Sequence, residues 1–229
     1  MSELGPLARR QAETVARHDP FWPAQLTVAA AIALALDLPS NLTISQVWLI
    51  PAIEGVLLLS LVVSTPWVPA HRHRQRRRFA LVLVSLVSAS NLVNLGLLVH
   101  VLLHGEVAGS NPGAELLLAG VEIWLTNVLL FTVLYWELDR GGPIARRGND
   151  LQAPDFLFPQ MTEAMLGGMG WCATYIDYLY TSFTNATAFS PTDTMPLSPP
   201  AKLMMLVQSG ASLLTLGMVF ARAVNILTG

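Results

Sequence analysis

The sequence predicts an all-α, polytopic helical membrane protein. Of its 229 residues, 53% are apolar, only 12% are charged, and the apolar residues are gathered in long stretches. A soluble domain carries about 25% charged residues, whereas a membrane-spanning helix needs about 20 consecutive, mostly apolar residues. This composition excludes a soluble enzyme, a nucleic-acid-binding domain and a secreted disulfide scaffold. The single cysteine, Cys172, has no second thiol with which to form an intramolecular disulfide or a zinc site.

About five membrane-spanning helices are predicted, and prolines lie at or near the ends of several of them, as expected where a helix starts or stops. They cover residues 22–38, 47–64, 79–103, 116–136 and 201–227. The chain is accordingly divided into four parts. These are a cytoplasmic tail (1–20), a four-helix transmembrane region (21–136), a polar loop rich in Gly and Pro (137–170) and a C-terminal module (171–229).

The basic residues are distributed unevenly and predict an orientation. The tail contains three, residues 71–78 contain five and the loop at 137–170 contains three, so these segments hold eleven of the thirteen Lys and Arg residues. The turns at 39–46 and 104–115 contain none. Under the positive-inside rule the basic segments lie in the cytoplasm. We therefore expect a multi-pass protein of the bacterial inner membrane with a cytoplasmic N-terminus.

The segment before the last span has a different pattern. Residues 175–187 are amphipathic and rich in aromatic and hydroxyl side chains, and are too polar to face lipid freely. Residues 190–196 cannot continue a helix because Pro191 and Pro196 lack a backbone N–H. A short helix, an irregular segment and a long span, in this order, are the layout of a re-entrant pore loop. The alternative is that residues 171–190 cross as an ordinary span, which makes six spans.

This segment resembles the pore helix and filter of the tetrameric potassium-channel superfamily. Residues 177–183 read D-Y-L-Y-T-S-F, and a typical member reads D-x-L-Y-F-S-x-x-T-x-T-T-x-G-Y-G-D before a Leu-rich inner helix. The resemblance implies a homotetramer with a pore helix containing Asp177, Tyr178, Tyr180 and Asn185. It implies a filter formed by Thr187, Ala188, Phe189, Ser190, Pro191, Thr192 and Asp193. The whole chain is also similar to a bacterial family of polytopic membrane proteins without assigned chemistry.

The filter departs from the superfamily pattern at three positions. Potassium filters use two glycines so that carbonyl oxygens point inward and replace the hydration shell of the ion. Ser190 and Thr192 stand at the glycine positions, and Pro191 stands at the aromatic position. The expected pore is therefore hydrated, weakly selective for cations and lined by hydroxyl groups and the Asp193 carboxylate, because acidic rings favour cations.

The charge distribution also inverts the potassium-channel topology. If the loop enters from the cytoplasmic side and the last span runs outward, Lys202 joins the basic residues inside. This arrangement resembles that of glutamate-receptor channels.

Polar residues within the predicted spans are further candidates. Glu54 and Glu122 are carboxylates in apolar helices, a costly placement that suggests proton or cation handling. The structural alternative is that each is protonated or paired. Asn91, Asn94 and Asn127 are interpreted as interhelical hydrogen-bonding residues. The sequence shows no catalytic motif, and His100 and His104, at a spacing that can hold a metal, are interpreted as a pair at the outer membrane interface. Neither an enzyme activity nor a cofactor is therefore expected.

Three functions follow from these observations. The first is a weakly selective cation channel whose partners are the lipid bilayer, monovalent cations and further copies of the chain. The second is a non-conducting membrane scaffold or accessory subunit. The third is a small proton-coupled transporter that uses Glu54 and Glu122, which the lack of a visible inverted repeat disfavours.

Overall fold

A computed structural model describes residues 20–38, 73–104, 112–147, 152–162, 171–187 and 193–228. The helices are α1 (Trp22–Asp37), α2 (His73–His104), α3 (Pro112–Leu138), α4 (Pro143–Arg147), α5 (Pro159–Thr162), α6 (Tyr175–Thr187) and α7 (Pro199–Thr228). A 3-10 turn, Asp139–Gly141, follows α3. Two strands of two residues each, β1 (Phe156–Leu157) and β2 (Met195–Pro196), pair antiparallel with Phe156 opposite Pro196. The predicted all-α class is confirmed.

Three of the described helices are long and apolar enough to cross a membrane. Their apolar segments are Arg77–Leu102, Ala114–Gly141 and Pro199–Ala221, and they match the predicted spans at 79–103, 116–136 and 201–227. The predicted span at 22–38 corresponds to α1, which is apolar but has only 16 residues. The predicted span at 47–64 and nearly all of the predicted tail lie outside the described residues.

Helix α3 is the centre of the bundle. In its apolar stretch, 61% is buried inside the protein, compared with 39% for α2 and 28% for α7. Helices α1, α2, α6 and α7 all contact it. Helix α7 packs closely on α3 at Gly120, where an added Cβ would lie 2.5 Å from Cγ2 of Val219. Small residues allow such close helix packing in membranes. A side chain at position 120 would therefore force Val219 or its helix to shift.

Helix α3 ends at the end of the bundle where α1, α2 and α6 begin. The end of α3 contacts the starts of α1 and α6, since the Trp136 ring lies 5.6 Å from Phe21 and 5.8 Å from Tyr175. Arg77, near the start of α2, donates a hydrogen bond to the carbonyl of Glu137. We call this the Asp139 end. Leu38, just after α1, belongs to a second buried cluster with Leu116 of α3, at the opposite end of the bundle.

The described part of the predicted polar loop folds back over the Asp139 end. It contains the 3-10 turn, α4, β1 and α5. In the apolar patch of this loop at 156–158, Phe156 and Phe158 are only 0% and 3% exposed. Both rings pack on Tyr178 of α6. The patch therefore belongs to the protein core, where it supports the start of α6.

Candidate functional site

Helix α6 begins at the Asp139 end and has a well-formed N-terminal cap. The Asp177 carboxylate accepts hydrogen bonds from the backbone N–H of Thr174 at 2.7 Å and from its hydroxyl at 2.8 Å. An acidic residue three positions after the cap residue satisfies a donor at the helix start. The Tyr175 hydroxyl donates a 2.6 Å hydrogen bond to Thr27 of α1. Asp177, predicted in the pore helix, therefore caps that helix.

The other end of α6 lies along the middle part of α3. The indole N–H of Trp124 donates to the carbonyl of Ala186 at 3.4 Å, and the Trp124 ring lies 5.9 Å from that of Phe183. At about 1.5 Å per residue, the 13 residues of α6 are too few to cross a membrane. Helix α6 therefore ends at Thr187 within the apolar layer of the bundle.

The chain then returns to the end from which it came. The hydroxyls of Thr181 and Thr194 lie 3.2 Å apart, alongside α6. Strand β2 pairs with β1, and the N–H of Leu197 donates to the carbonyl of Asp155 at 2.7 Å. The last helix begins there, where Ser198 accepts hydrogen bonds from the N–H groups of Ala201 and Lys202. Helix α6 and the return segment thus enter and leave at the Asp139 end, as a re-entrant segment does.

Thiol labelling tests this geometry in a membrane. In a Cys172→Ser background, Leu197→Cys and Arg78→Cys should react with a membrane-impermeant maleimide from the same side, because both exposed positions lie at the Asp139 end. Glu115→Cys, at the start of α3, is the control and should react from the opposite side. Labelling of Leu197→Cys from the Glu115 side would show that residues 171–190 cross as an ordinary span.

A cluster of hydrogen-bonded polar side chains joins α3, α6 and α7. Gln208 of α7 is at its centre and is fully buried. Its amide nitrogen donates to the carbonyl and hydroxyl of Ser182 at 3.0 and 2.7 Å. Its amide oxygen accepts from the Tyr135 hydroxyl at 2.5 Å and the Asn185 amide at 2.7 Å. We call this cluster the polar core, and it comprises Asn127, Tyr135, Ser182, Asn185, Gln208, Ser209 and Ser212.

The polar core extends along α3 and α7. Asn127 donates to the Ser212 hydroxyl at 2.8 Å and to the carbonyl of Gln208 at 3.3 Å. The Ser182 hydroxyl donates to the carbonyl of Val128 at 2.7 Å, and Ser209 donates to the Asn185 side-chain oxygen at 3.0 Å. Buried polar groups in an apolar medium are costly unless paired. These bonds therefore hold α6 in one position against the two long helices.

A second polar cluster closes the Asp139 end. The Asp139 side chain is fully buried. Its Oδ1 accepts from the N–H groups of Asp155 and Phe156 at 2.8 and 3.3 Å, and its Oδ2 accepts from the Tyr178 hydroxyl at 2.7 Å. One carboxylate therefore ties α3 to α6 and to β1. Arg146 donates to the carbonyls of Trp136 and Asp139 at 2.7 and 2.9 Å.

The C-terminal ends of α3 and α6 lie in different surroundings. The C-terminal end of a helix carries a partial negative charge of about half an elementary charge, and at Thr187 this end lies within the bundle. Arg77 and Arg146 donate to the last carbonyls of α3, so the negative end of α3 is neutralised by the protein itself. The C-terminal end of α6, in contrast, lies beside the middle part of α3, where the Ala186 carbonyl accepts from Trp124.

The predicted pore residues are placed as follows. Tyr178 is buried on Asp139, Asn185 belongs to the polar core and Tyr180 is 55% exposed on the outer face of α6. Of the predicted filter, Thr187 is half-buried at the end of α6 and Asp193 is exposed. The other five filter residues, Ala188, Phe189, Ser190, Pro191 and Thr192, lie outside the described residues.

Of the two predicted intramembrane carboxylates, only Glu122 lies among the described residues. Glu122 of α3 is half-buried, and its carboxyl group lies within hydrogen-bonding reach of the exposed Asp37 at the end of α1. It takes no part in the polar core. Glu54 lies outside the described residues. Within the described part of the chain, no group of three or more His, Cys, Asp or Glu residues could hold a metal ion.

Sequence reasoning missed several members of these clusters. Gln208 and Ser212 are four residues apart and so lie on one face of an apolar span, a signal that could have identified the α7 side of the polar core. Asp139 lies at the start of the predicted polar loop at 137–170, whose length and composition do not indicate that this carboxylate is buried. Its burial depends on the return of residues 155–156 over the end of α3, which no local pattern indicates.

No protein-family model matches the chain, and neither a curated protein nor a solved structure matches it. The class of protein is therefore defined by the fold. It is a helical membrane protein in which a half-helix and its return segment begin and end at one end of the bundle, directly before a long helix.

Proposed function

We propose that the protein is the subunit of a homo-oligomeric, weakly selective cation channel of the bacterial inner membrane, with its N-terminus in the cytoplasm. The observation that carries the proposal is the half-helix α6. Its C-terminal end lies along the middle part of α3, at the level of Trp124, and a partial negative charge at that depth stabilises a cation.

The polar core supports this function by fixing α6. An ion path works only if its lining groups are held close to one geometry, because small displacements change the ion coordination. Ser182 and Asn185 of α6 are both bonded to Gln208. Since the groups of the polar core bond to one another, the proposed path does not run through that core.

The path is expected on the outer face of the half-helix, between subunits. Of the predicted filter residues that the structure describes, Asp193 is exposed and Thr187 is half-buried. The exposed Tyr180 and Phe183, at 55% and 48%, lie on the same helix. A symmetric assembly would bring equivalent carboxylates together, and a ring of such groups attracts cations. The resemblance to potassium channels suggests four subunits.

Imaging and ion flux together test the proposal. Particles of the detergent-solubilised full chain should be four-fold, with α6 next to the symmetry axis. In liposomes, Asp193→Asn should lower monovalent-cation flux several-fold, because it removes one charge per subunit from the ring. Asp193→Glu is the matched control and should retain most of the flux. A monomer, an oligomer with α6 at its periphery, or liposomes without cation flux would refute the channel.

A non-conducting scaffold or accessory subunit is the second candidate. It is favoured by the hydrogen bonds of the polar core, which join α6 firmly to α3 and α7 within one chain. A purely structural subunit needs this rigidity but no ion path. In the same experiment it predicts a folded, stable particle that lacks flux, and Asp193→Asn then has no effect.

A further inference from the structure

Arg140 has an unusual backbone conformation. Among the described residues it is the only non-glycine with a positive φ, at 51°, and Gly141 and Gly142 follow with φ of 79° and 95°. A side chain strains the backbone in this left-handed region, whereas glycine adopts it freely. The backbone N–H of Arg140 is held by the Asp155 carboxylate at 3.1 Å. An arginine is therefore held where a glycine would fit better.

The Arg140 side chain lacks an oxygen acceptor in the described part of the chain. Its Nε is buried without a hydrogen-bond partner there, and one terminal nitrogen contacts only the sulfur of Met161 at 3.6 Å. A thioether is a weak acceptor. The carboxylates of Asp139 and Asp155 accept hydrogen bonds from other groups. Asp139 accepts from two backbone N–H groups and from the Tyr178 hydroxyl, and Asp155 accepts from the backbone N–H of Arg140.

The position of Arg140 matches the depth of lipid headgroups. The apolar segment Ala114–Gly141 ends beside it. The half-buried Trp171 lies at the same end, next to Phe158, and tryptophan is enriched at membrane interfaces. Arg77 and Arg146 are at this end too, and basic residues near the membrane surface attract anionic lipids.

We propose that Arg140 binds the phosphate of an anionic phospholipid at the Asp139 end. The guanidinium offers parallel N–H donors that match phosphate oxygens, and a phosphate oxygen is a much stronger acceptor than the Met161 sulfur. The bound lipid would cover the 3-10 turn next to α5. This site is independent of conduction, because it requires neither an oligomer nor an ion path.

Lipid binding by the full chain in detergent tests the site. The probe is phosphatidylglycerol, and the readouts are the lipid copies retained in native mass spectrometry and the rise in thermal unfolding midpoint on lipid addition. Arg140→Gly should bind phosphatidylglycerol about tenfold more weakly, since a charge-assisted arginine–phosphate contact is lost. Its unfolding midpoint without lipid should be unchanged or higher, since the backbone strain is relieved.

Arg78→Gln is the matched control, because Arg78 is exposed and its loss removes the same charge. It should leave phosphatidylglycerol binding within about twofold of the wild type, since an exposed charge contributes little. Two results would overturn the proposal: unchanged lipid binding in Arg140→Gly, or an equal loss in Arg78→Gln. If inorganic phosphate without lipid stabilises the wild type as strongly as phosphatidylglycerol does, the lipid assignment is wrong.

Discussion

Replacing Asp139 by alanine is expected to destabilise the protein by about 4 kcal/mol, because it leaves buried donors without their acceptor. The carboxylate accepts from the N–H groups of Asp155 and Phe156 and from the Tyr178 hydroxyl. Its removal frees the start of α6 and the β1 segment together. Unfolding by SDS in mixed micelles, followed by tryptophan fluorescence, measures the loss.

Asp139→Asn should cost about half as much, because its amide oxygen still accepts from the two backbone N–H groups. The NH2 group of the new side chain can donate to the Tyr178 oxygen, so that Tyr178 becomes the acceptor instead of the donor. Asp193→Ala removes an exposed carboxylate and is the control, with an expected change below about 0.5 kcal/mol. Equal stability of Asp139→Ala and the wild type would mean that the cluster does not hold the Asp139 end together.

Replacing Gln208 by leucine is expected to cost about 3 kcal/mol. Leucine has a similar volume, but it cannot replace the four hydrogen bonds to Ser182, Tyr135 and Asn185. Individual hydrogen bonds between membrane helices contribute about 0.6 kcal/mol on average and up to about 1.7. The same unfolding assay measures the effect, and limited proteolysis should cut the segment between α6 and α7 faster in the variant.

Leu206→Ala is the control for this second substitution. Leu206 is on the same helix and is 71% exposed, so its truncation should change the free energy of unfolding by less than about 0.5 kcal/mol. If Gln208→Leu is as stable as Leu206→Ala, hydrogen bonding does not fix α6 against α7. The rigidity that the proposed ion path needs would then have to come from apolar packing alone.

The interhelical role predicted for three asparagines is confirmed for two of them, Asn91 and Asn127. Asn91 of α2 donates to the carbonyl of Ile123 at 3.1 Å, and Asn127 donates to Ser212 of α7 at 2.8 Å. A polar residue in an apolar span must find a partner on a neighbouring helix, so its role is evident from the sequence. Which helix supplies the partner is not, because several faces could meet it.

Local pattern by itself determined the class of protein, the long helices α2, α3 and α7, and the bounds of α6. Hydropathy over about 20 residues reports membrane insertion, and Pro191 and Pro196 exclude a continuous helix between α6 and α7. The positive-inside rule grouped the basic segments, and Arg77, Arg140 and Arg146 do lie at one end of the bundle.

Only the tertiary structure decided that α6 returns to the end where it begins, that Phe156 and Phe158 are buried, and that Asp139 is an internal acceptor. Each depends on contacts between segments far apart in the chain, such as β1 with β2 and Tyr178 with Asp139. The free energy of a polar group depends on whether a partner lies nearby in space. Sequence spacing specifies such partners within one helix, but not across a bundle.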